Sequence, residues 1–112
     1  MPPVLVISED RRLLARVGDT LRDEGIWVVC VEELASALAA LRDGFRPGAI
    51  VLDPALALQP GGGELVLHLT ASPGFAGLPV LAISAPLQRS AADALVATLR
   101  RLDERDHVSM HG

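Results

Sequence analysis

Three short aliphatic runs in this chain are apolar at every position. They are VLVI at residues 4–7, IVL at 50–52 and VLAI at 80–83. A strand with one face in water alternates apolar and polar side chains, and these runs do not alternate. Such strands are buried on both faces, which predicts a parallel sheet with helices packed against each side.

Helical patterns fill the segments between these runs. Leu13, Val17 and Leu21 recur every four residues and form one apolar stripe. The predicted strands are residues 4–8, 26–31, 49–53 and 78–84, and the predicted helices are residues 9–25, 32–44, 62–72 and 88–105. This alternation predicts an α/β fold, a doubly wound parallel sheet of four or five strands, in a single domain of residues 1–112.

Composition narrows the class of protein. The net charge of −4 gives no general attraction to nucleic-acid phosphates, so no nucleic-acid partner is predicted. All ten basic residues are arginines, and a chain without lysine cannot carry a phosphate-loop motif despite its glycines at 61–63. The single cysteine, Cys30, excludes an internal disulfide and is interpreted as a small buried side chain in a reducing compartment.

No apolar run approaches the roughly 20 residues that a membrane-spanning helix needs. The protein is therefore expected to be cytoplasmic, with no membrane partner.

Polar side chains follow the predicted strands at the points where those strands end. Ser8, Glu9 and Asp10 follow the first strand, Asp53 ends the third and Ser84 ends the fourth. The carboxyl ends of parallel strands meet at one edge of the sheet, where ligands bind in folds of this class. The sequence therefore predicts that these carboxylates and hydroxyls lie together at that edge.

Residues 4–85 resemble the receiver domain of two-component response regulators, the CheY-like family. VLVISEDRRLLARVGDTLRDEGIWV is similar to the family's first strand, acidic cluster and first helix. AIVLDPALALQPGGGELV is similar to the strand and loop that bear the phosphorylated aspartate, and GLPVLAISA to the fourth strand with its terminal hydroxyl. The resemblance implies a flavodoxin-like, receiver-type sheet.

The resemblance also implies roles for five residues. Asp53 matches the phosphoacceptor, a carboxylate nucleophile that takes a phosphoryl group. Glu9 and Asp10 fall on the acidic cluster that, with Asp53, holds Mg²⁺ in the family. Ser84 matches the hydroxyl that binds the phosphoryl oxygen, and Ala85 matches the small residue that leaves room for it.

Two departures from the family pattern affect this site. Aligned by the strand, Ser8 stands where the family often has its first aspartate, and Glu9 takes the place of the second. Shifting the alignment by one residue makes Glu9 and Asp10 the acidic pair but lengthens the strand. The family's lysine on the fifth strand has no counterpart, because the chain contains no lysine.

Two alignments of the C-terminal part are open. In the favoured one, residues 106–112 form a fifth strand, and Met110 or His111 lies near the lysine position. In the other, residues 84–102 correspond to the family's final helix, Ala85–Pro86 replaces the lysine–proline pair before it, and a helix and the fifth strand are deleted.

Either alignment leaves apolar surface without its helix. Burying a helix-sized patch of about 400 Å² contributes on the order of 10 kcal/mol. We therefore expect this face to be covered in a homodimer or by another protein.

These observations predict a degenerate receiver-like module of a two-component or phosphorelay system that acts through protein–protein contacts. Its expected partner is a histidine kinase or a downstream signalling protein. No nucleophile–base pair or nucleotide motif predicts an enzyme. The alternative is an α/β assembly domain that functions without phosphorylation.

Overall fold

Four parallel strands form the centre of the protein. The computed structural model describes residues 2–75 and 77–111, with side chains described as far as Glu104. The strands are β1 (Val4–Ile7), β2 (Val28–Val31), β3 (Ala49–Leu52) and β4 (Val80–Ala82). Their order across the sheet is β2-β1-β3-β4, and every neighbouring pair is parallel. The predicted α/β, doubly wound class is confirmed, with four strands.

Helices cover both faces of this sheet. They are α1 (Arg11–Asp23), α2 (Leu34–Arg42), α3 (Pro54–Ala57), α4 (Gly62–Ala71) and α5 (Arg89–His111), with a 3₁₀ turn at Pro73–Phe75. The helices α1 and α5 pack on one face, and α2 and α4 pack on the other. None of the described helices is long and apolar enough to span a membrane.

The burial of β1 explains why apolar and polar side chains do not alternate in the first aliphatic run. All four of its side chains are completely buried. Val4 and Val6 lie in the core beneath α1 and α5, whereas Leu5 and Ile7 lie in the core beneath α2 and α4. Each residue therefore meets a helix layer whichever way it points, as expected for an inner parallel strand.

The favoured alignment of the C-terminal part is wrong. The backbone of residues 106–111 continues α5 as far as His111 instead of forming a fifth strand, and Gly112 lies outside the described residues. Residues 87–111 contain no glycine or proline, so nothing in the sequence ends the helix before that point. The strand β4 is consequently the edge of the sheet.

The helix α5 instead takes the place expected from the second alignment, against α1. Leu95 and Leu99 share a core with Leu13 and Val17 of α1. At the far end of α1, the guanidinium of Arg100 forms an ion pair with the carboxylate of Glu24. The last helix therefore covers the half of the sheet that carries β3 and β4.

This packing predicts a large stability loss on truncating Leu99, which is fully buried between α5 and the sheet. Leu99→Ala is expected to lower the free energy of unfolding by about 2–5 kcal/mol, because it leaves a cavity in the core. Leu58→Ala is the control, since Leu58 is 90% exposed, and its effect should stay within about 0.5 kcal/mol. Urea unfolding measures both, and equal losses would contradict the placement of α5.

Candidate functional site

Asp53 lies at the carboxyl end of β3, at the sheet edge where function was predicted. Its Oδ2 accepts a hydrogen bond from the Ser8 hydroxyl at 3.0 Å, and its Oδ1 accepts one from the Ala55 N–H at 3.1 Å. Its own N–H donates to the carbonyl of Ile7 at 3.0 Å, which fixes it beside β1. The carboxyl group is half-buried, so it is held by the fold and still reached by solvent.

Asp53 is also the residue that starts α3. It has an extended backbone, Pro54 occupies the first helical position, and the carboxylate accepts the Ala55 N–H as an N-cap. The predicted elements did not include α3, a helix of four residues. The pairing of an acid with a following proline is the signal that predicts such a start.

Ser8 has a role in this site that the sequence pattern did not indicate. Its side chain is only 1% exposed, and it is the one buried polar residue among those described. Its hydroxyl donates to Asp53 and accepts the backbone N–H of Asp10 at 3.1 Å. The sequence placed Ser8 at this edge and marked it as a departure from the family pattern, but predicted no contact for it. A hydroxyl at the end of a fully apolar strand was the available signal, because buried hydroxyls need hydrogen-bond partners.

The predicted magnesium ligands do not come together in the structure. Asp10 is the N-cap of α1, where its Oδ1 accepts the N–H groups of Arg12 and Leu13 at 2.9 and 3.1 Å. The Glu9 carboxylate is exposed and accepts a hydrogen bond from Gln59 at 3.3 Å. Across the described part of the chain, no three acidic, histidine or cysteine side chains form a group that could hold a metal ion. The donor set does not fit an octahedral Mg²⁺ site.

Ser84 and Ala85 lie just beyond the end of β4 and are exposed. The N–H of Ile83 donates to the carbonyl of Leu52, the last residue of β3, at 3.1 Å. Ser84 and Asp53 therefore both lie just beyond this last hydrogen bond between the two strands. Among the described side chains, Ser84 makes no hydrogen bond with Asp53. The structure therefore puts Ser84 and Ala85 on the predicted edge, without a direct contact to the carboxylate.

Two glycines shape the loop on the other side of Asp53. Gly61 has a φ of +97°, a left-handed conformation that glycine adopts without strain. A Cβ at Gly62 would lie 2.6 Å from the carbonyl oxygen of Ala57, so only glycine lets α4 begin so close to α3. The chain therefore turns tightly into α4 at these positions. The bond from Gln59 to Glu9 connects this loop to the start of α1.

Cys30 lies away from this edge, on β2 beside α1. It is partly buried, and its Sγ lies 3.9 Å from the carbonyl of Leu14. Burial raises the pKa of the thiol, and the nearby guanidinium of Arg22 only partly opposes that effect. The thiol is therefore held protonated across neutral pH, which agrees with its interpretation as a small packing side chain.

Because its pKa is raised, the Cys30 thiol is expected to react slowly with alkylating reagents at neutral pH. Alkylation requires the thiolate, so the alkylation rate of the folded protein should rise at higher pH than that of the urea-unfolded chain. Iodoacetamide labelling followed by mass spectrometry across the alkaline range measures both profiles. A folded-state profile that rises at the same or a lower pH would contradict the stated environment of Cys30.

The fold is that of CheY-like receiver domains. The chemotaxis response regulator CheY4 of Vibrio cholerae aligns with a TM-score of 0.72 at 20% identity, covering 91% of this chain and 98% of that one. A Francisella response-regulator receiver domain aligns with a TM-score of 0.71 at 18% identity, covering 95% and 99%. A response regulator from Desulfuromonas acetoxidans gives 0.70 at 19% identity, covering 93% and 98%.

These likenesses confirm the predicted resemblance at the level of the fold. No protein-family model matches the chain, and no curated protein matches it in sequence. At such low identities the solved structures establish the architecture alone.

Because Ser8 contacts Asp53, replacing Ser8 with an acidic residue is expected to create a metal site. Ser8→Asp puts a second carboxylate next to that of Asp53, so Mg²⁺ affinity is expected to rise by about tenfold or more. Ser8→Asn is the control, because asparagine is nearly the same size as aspartate and carries no charge. Isothermal titration calorimetry with MgCl₂ measures both, and equal affinities for the two variants would contradict this account.

Proposed function

We propose that this protein is a receiver-like signalling module that acts through protein–protein interaction, with Asp53 as its candidate phosphoacceptor. The observation that carries the proposal is the position of Asp53. Its carboxylate is half-buried, lies at the carboxyl end of β3 and is oriented by Ser8 and Ala55 on a fold shared with response regulators. The expected partners are a histidine kinase or a downstream signalling protein, in the cytoplasm.

The chemistry proposed at Asp53 is nucleophilic. A carboxylate oxygen attacks phosphorus in a phosphohistidine or small acyl-phosphate donor. The bond from phosphorus to the donor atom breaks, and its electron pair leaves with the donor. The product is an acyl phosphate on Asp53. Half-burial of the side chain supports this step, since the donor needs access to the carboxylate.

The module is proposed to be degenerate, so phosphotransfer is slow or lost. Ser8, a neutral residue, contacts Asp53 where a second carboxylate would favour a metal ion, and Asp10 is engaged as a helix cap. The chain has no lysine to pair with a phosphoryl group. Charge on a transferring phosphoryl group is normally stabilised by such cations.

Incubation with acetyl phosphate and MgCl₂, followed by intact-mass measurement, tests the proposal. We expect a small phosphorylated fraction that is absent in Asp53→Asn. The same variant keeps the side-chain acceptor for the Ala55 N–H and therefore controls for folding. Phosphate on a different residue would contradict the assignment of Asp53, and rapid stoichiometric phosphorylation would contradict the degenerate character.

A second candidate is an assembly domain that never uses phosphate. One observation favours it: Asp53 already has a structural role as the N-cap of α3 and the acceptor for buried Ser8. In that case Asp53→Asn should leave binding to the partner unchanged. Loss of partner binding in a variant that retains its helical circular dichroism would favour the phosphoacceptor role instead.

A further inference from the structure

The strand β4 is an open edge of the sheet. Its other side is bonded to β3, because the Ile50 N–H donates to the carbonyl of Pro79 and the Ile83 N–H donates to that of Leu52. Backbone groups alternate along a strand, so residues 79, 81 and 83 face β3. The N–H and C=O groups of Val80 and Ala82 therefore point away from the sheet.

No charged side chain protects this edge against pairing. Open edges are usually guarded by charged side chains, or by prolines that remove an outward N–H. Residues 73–88 carry no charge at all, and Pro79 faces β3 rather than the open side. The opposite edge differs, because β2 is followed directly by two acids, Glu32 and Glu33.

A groove of about 430 Å³ runs between β4 and α5. Leu81 and Ile83 lie on its sheet side, and Ala91, Ala94 and Thr98 of α5 lie on its helix side. Ala91 and Ala94 are exposed, and Leu81 is only partly buried. On the other face of the sheet, Val80 is 49% exposed. The edge therefore presents unpaired backbone flanked by small and apolar side chains on both faces.

We propose that β4 pairs antiparallel with β4 of a second copy of this chain, around a two-fold axis at Leu81. In that register Val80 of each copy lies opposite Ala82 of the other. The outward N–H and C=O groups of both residues then form four hydrogen bonds, two for each Val80–Ala82 pair. The two sheets join into one sheet of eight strands.

A second copy of the chain provides a hydrogen-bond partner for every outward backbone group of Val80 and Ala82. The two outward residues are spaced symmetrically about Leu81, so one two-fold operation satisfies both of them. The two Leu81 side chains meet at the axis and enter the space between the sheets and the α5 helices. Ala91 and Ala94 let the two α5 helices approach each other. That contact is needed, because a three-residue strand alone falls short of the roughly 800 Å² per partner that stable interfaces bury.

A charge at the edge should separate the copies. Val80→Lys puts two lysines diagonally across the axis on one face of the sheet, with their α-carbons about 7–8 Å apart, so that their ammonium groups repel each other. Val66→Lys is the matched control, since Val66 is also 49% exposed but lies on α4. Sedimentation equilibrium at tens of micromolar is expected to give dimers for the wild type and Val66→Lys, and monomers for Val80→Lys.

A backbone change tests the hydrogen bonds themselves. Ala82→Pro removes an N–H that points away from β3, so the monomer loses no ladder bond while the dimer loses two of its four. Its dimer dissociation constant should rise about 10- to 100-fold. Circular dichroism and urea unfolding check that the variant folds. A strictly monomeric wild type, or a dimer that neither Ala82→Pro nor Val80→Lys weakens, would overturn the proposal.

Cross-linking tests the register. In a Cys30→Ala background, Leu81→Cys puts two thiols directly opposite each other at the axis, close enough for a disulfide after mild oxidation. Ala82→Cys is the control, because its two copies lie diagonally and too far apart. Linkage through position 82 but not 81 would overturn this register. The dimer does not depend on the proposed phosphoacceptor, so Asp53→Asn should dimerise like the wild type.

Discussion

Complete burial of β1 on both faces is the constraint on which the rest of the structure depends. A strand without any exposed side chain needs a helix layer above and another below, and neighbouring strands on both sides. One layer is supplied by α1 and α5, and the other by α2 and α4. Because all strands run the same way, every loop that leaves their carboxyl ends lies on one side of the molecule. Asp53 and Ser8 meet for this reason.

Much of this architecture is readable from the residues alone. Unbroken aliphatic runs predict β1 and β3, and the spacing of Leu13, Val17 and Leu21 predicts the buried side of α1. The secondary structure of residues 106–111 could not be predicted in the same way. A short segment with one valine is compatible with a strand, and only its continuity with the breaker-free sequence of α5 decides in favour of helix. The short α3 was missed because four residues are too few to show a period.

The sequence predicted where the candidate site lies, but it did not predict which side chains contact each other there. The sequence correctly indicated that acids and hydroxyls gather at the carboxyl edge, and it identified Asp53 as the acid that ends β3. It could not show that Asp10 is committed to capping α1 or that Ser8 is the group hydrogen-bonded to Asp53. Side-chain direction at a loop decides between a ligand and a cap, and spacing along the chain does not encode that direction.

The N-cap at Asp53 links any covalent change there to the folding of its neighbourhood. The same carboxylate that phosphorylation would convert to an acyl phosphate also accepts the first N–H of α3. A helix of four residues has almost no stability of its own, since nucleation is costly and few bonds follow it. Altering the charge or geometry of this one carboxylate therefore shifts the balance between ordered and frayed backbone at residues 54–57. The carboxylate of Asp53 is thus coupled directly to the backbone of α3.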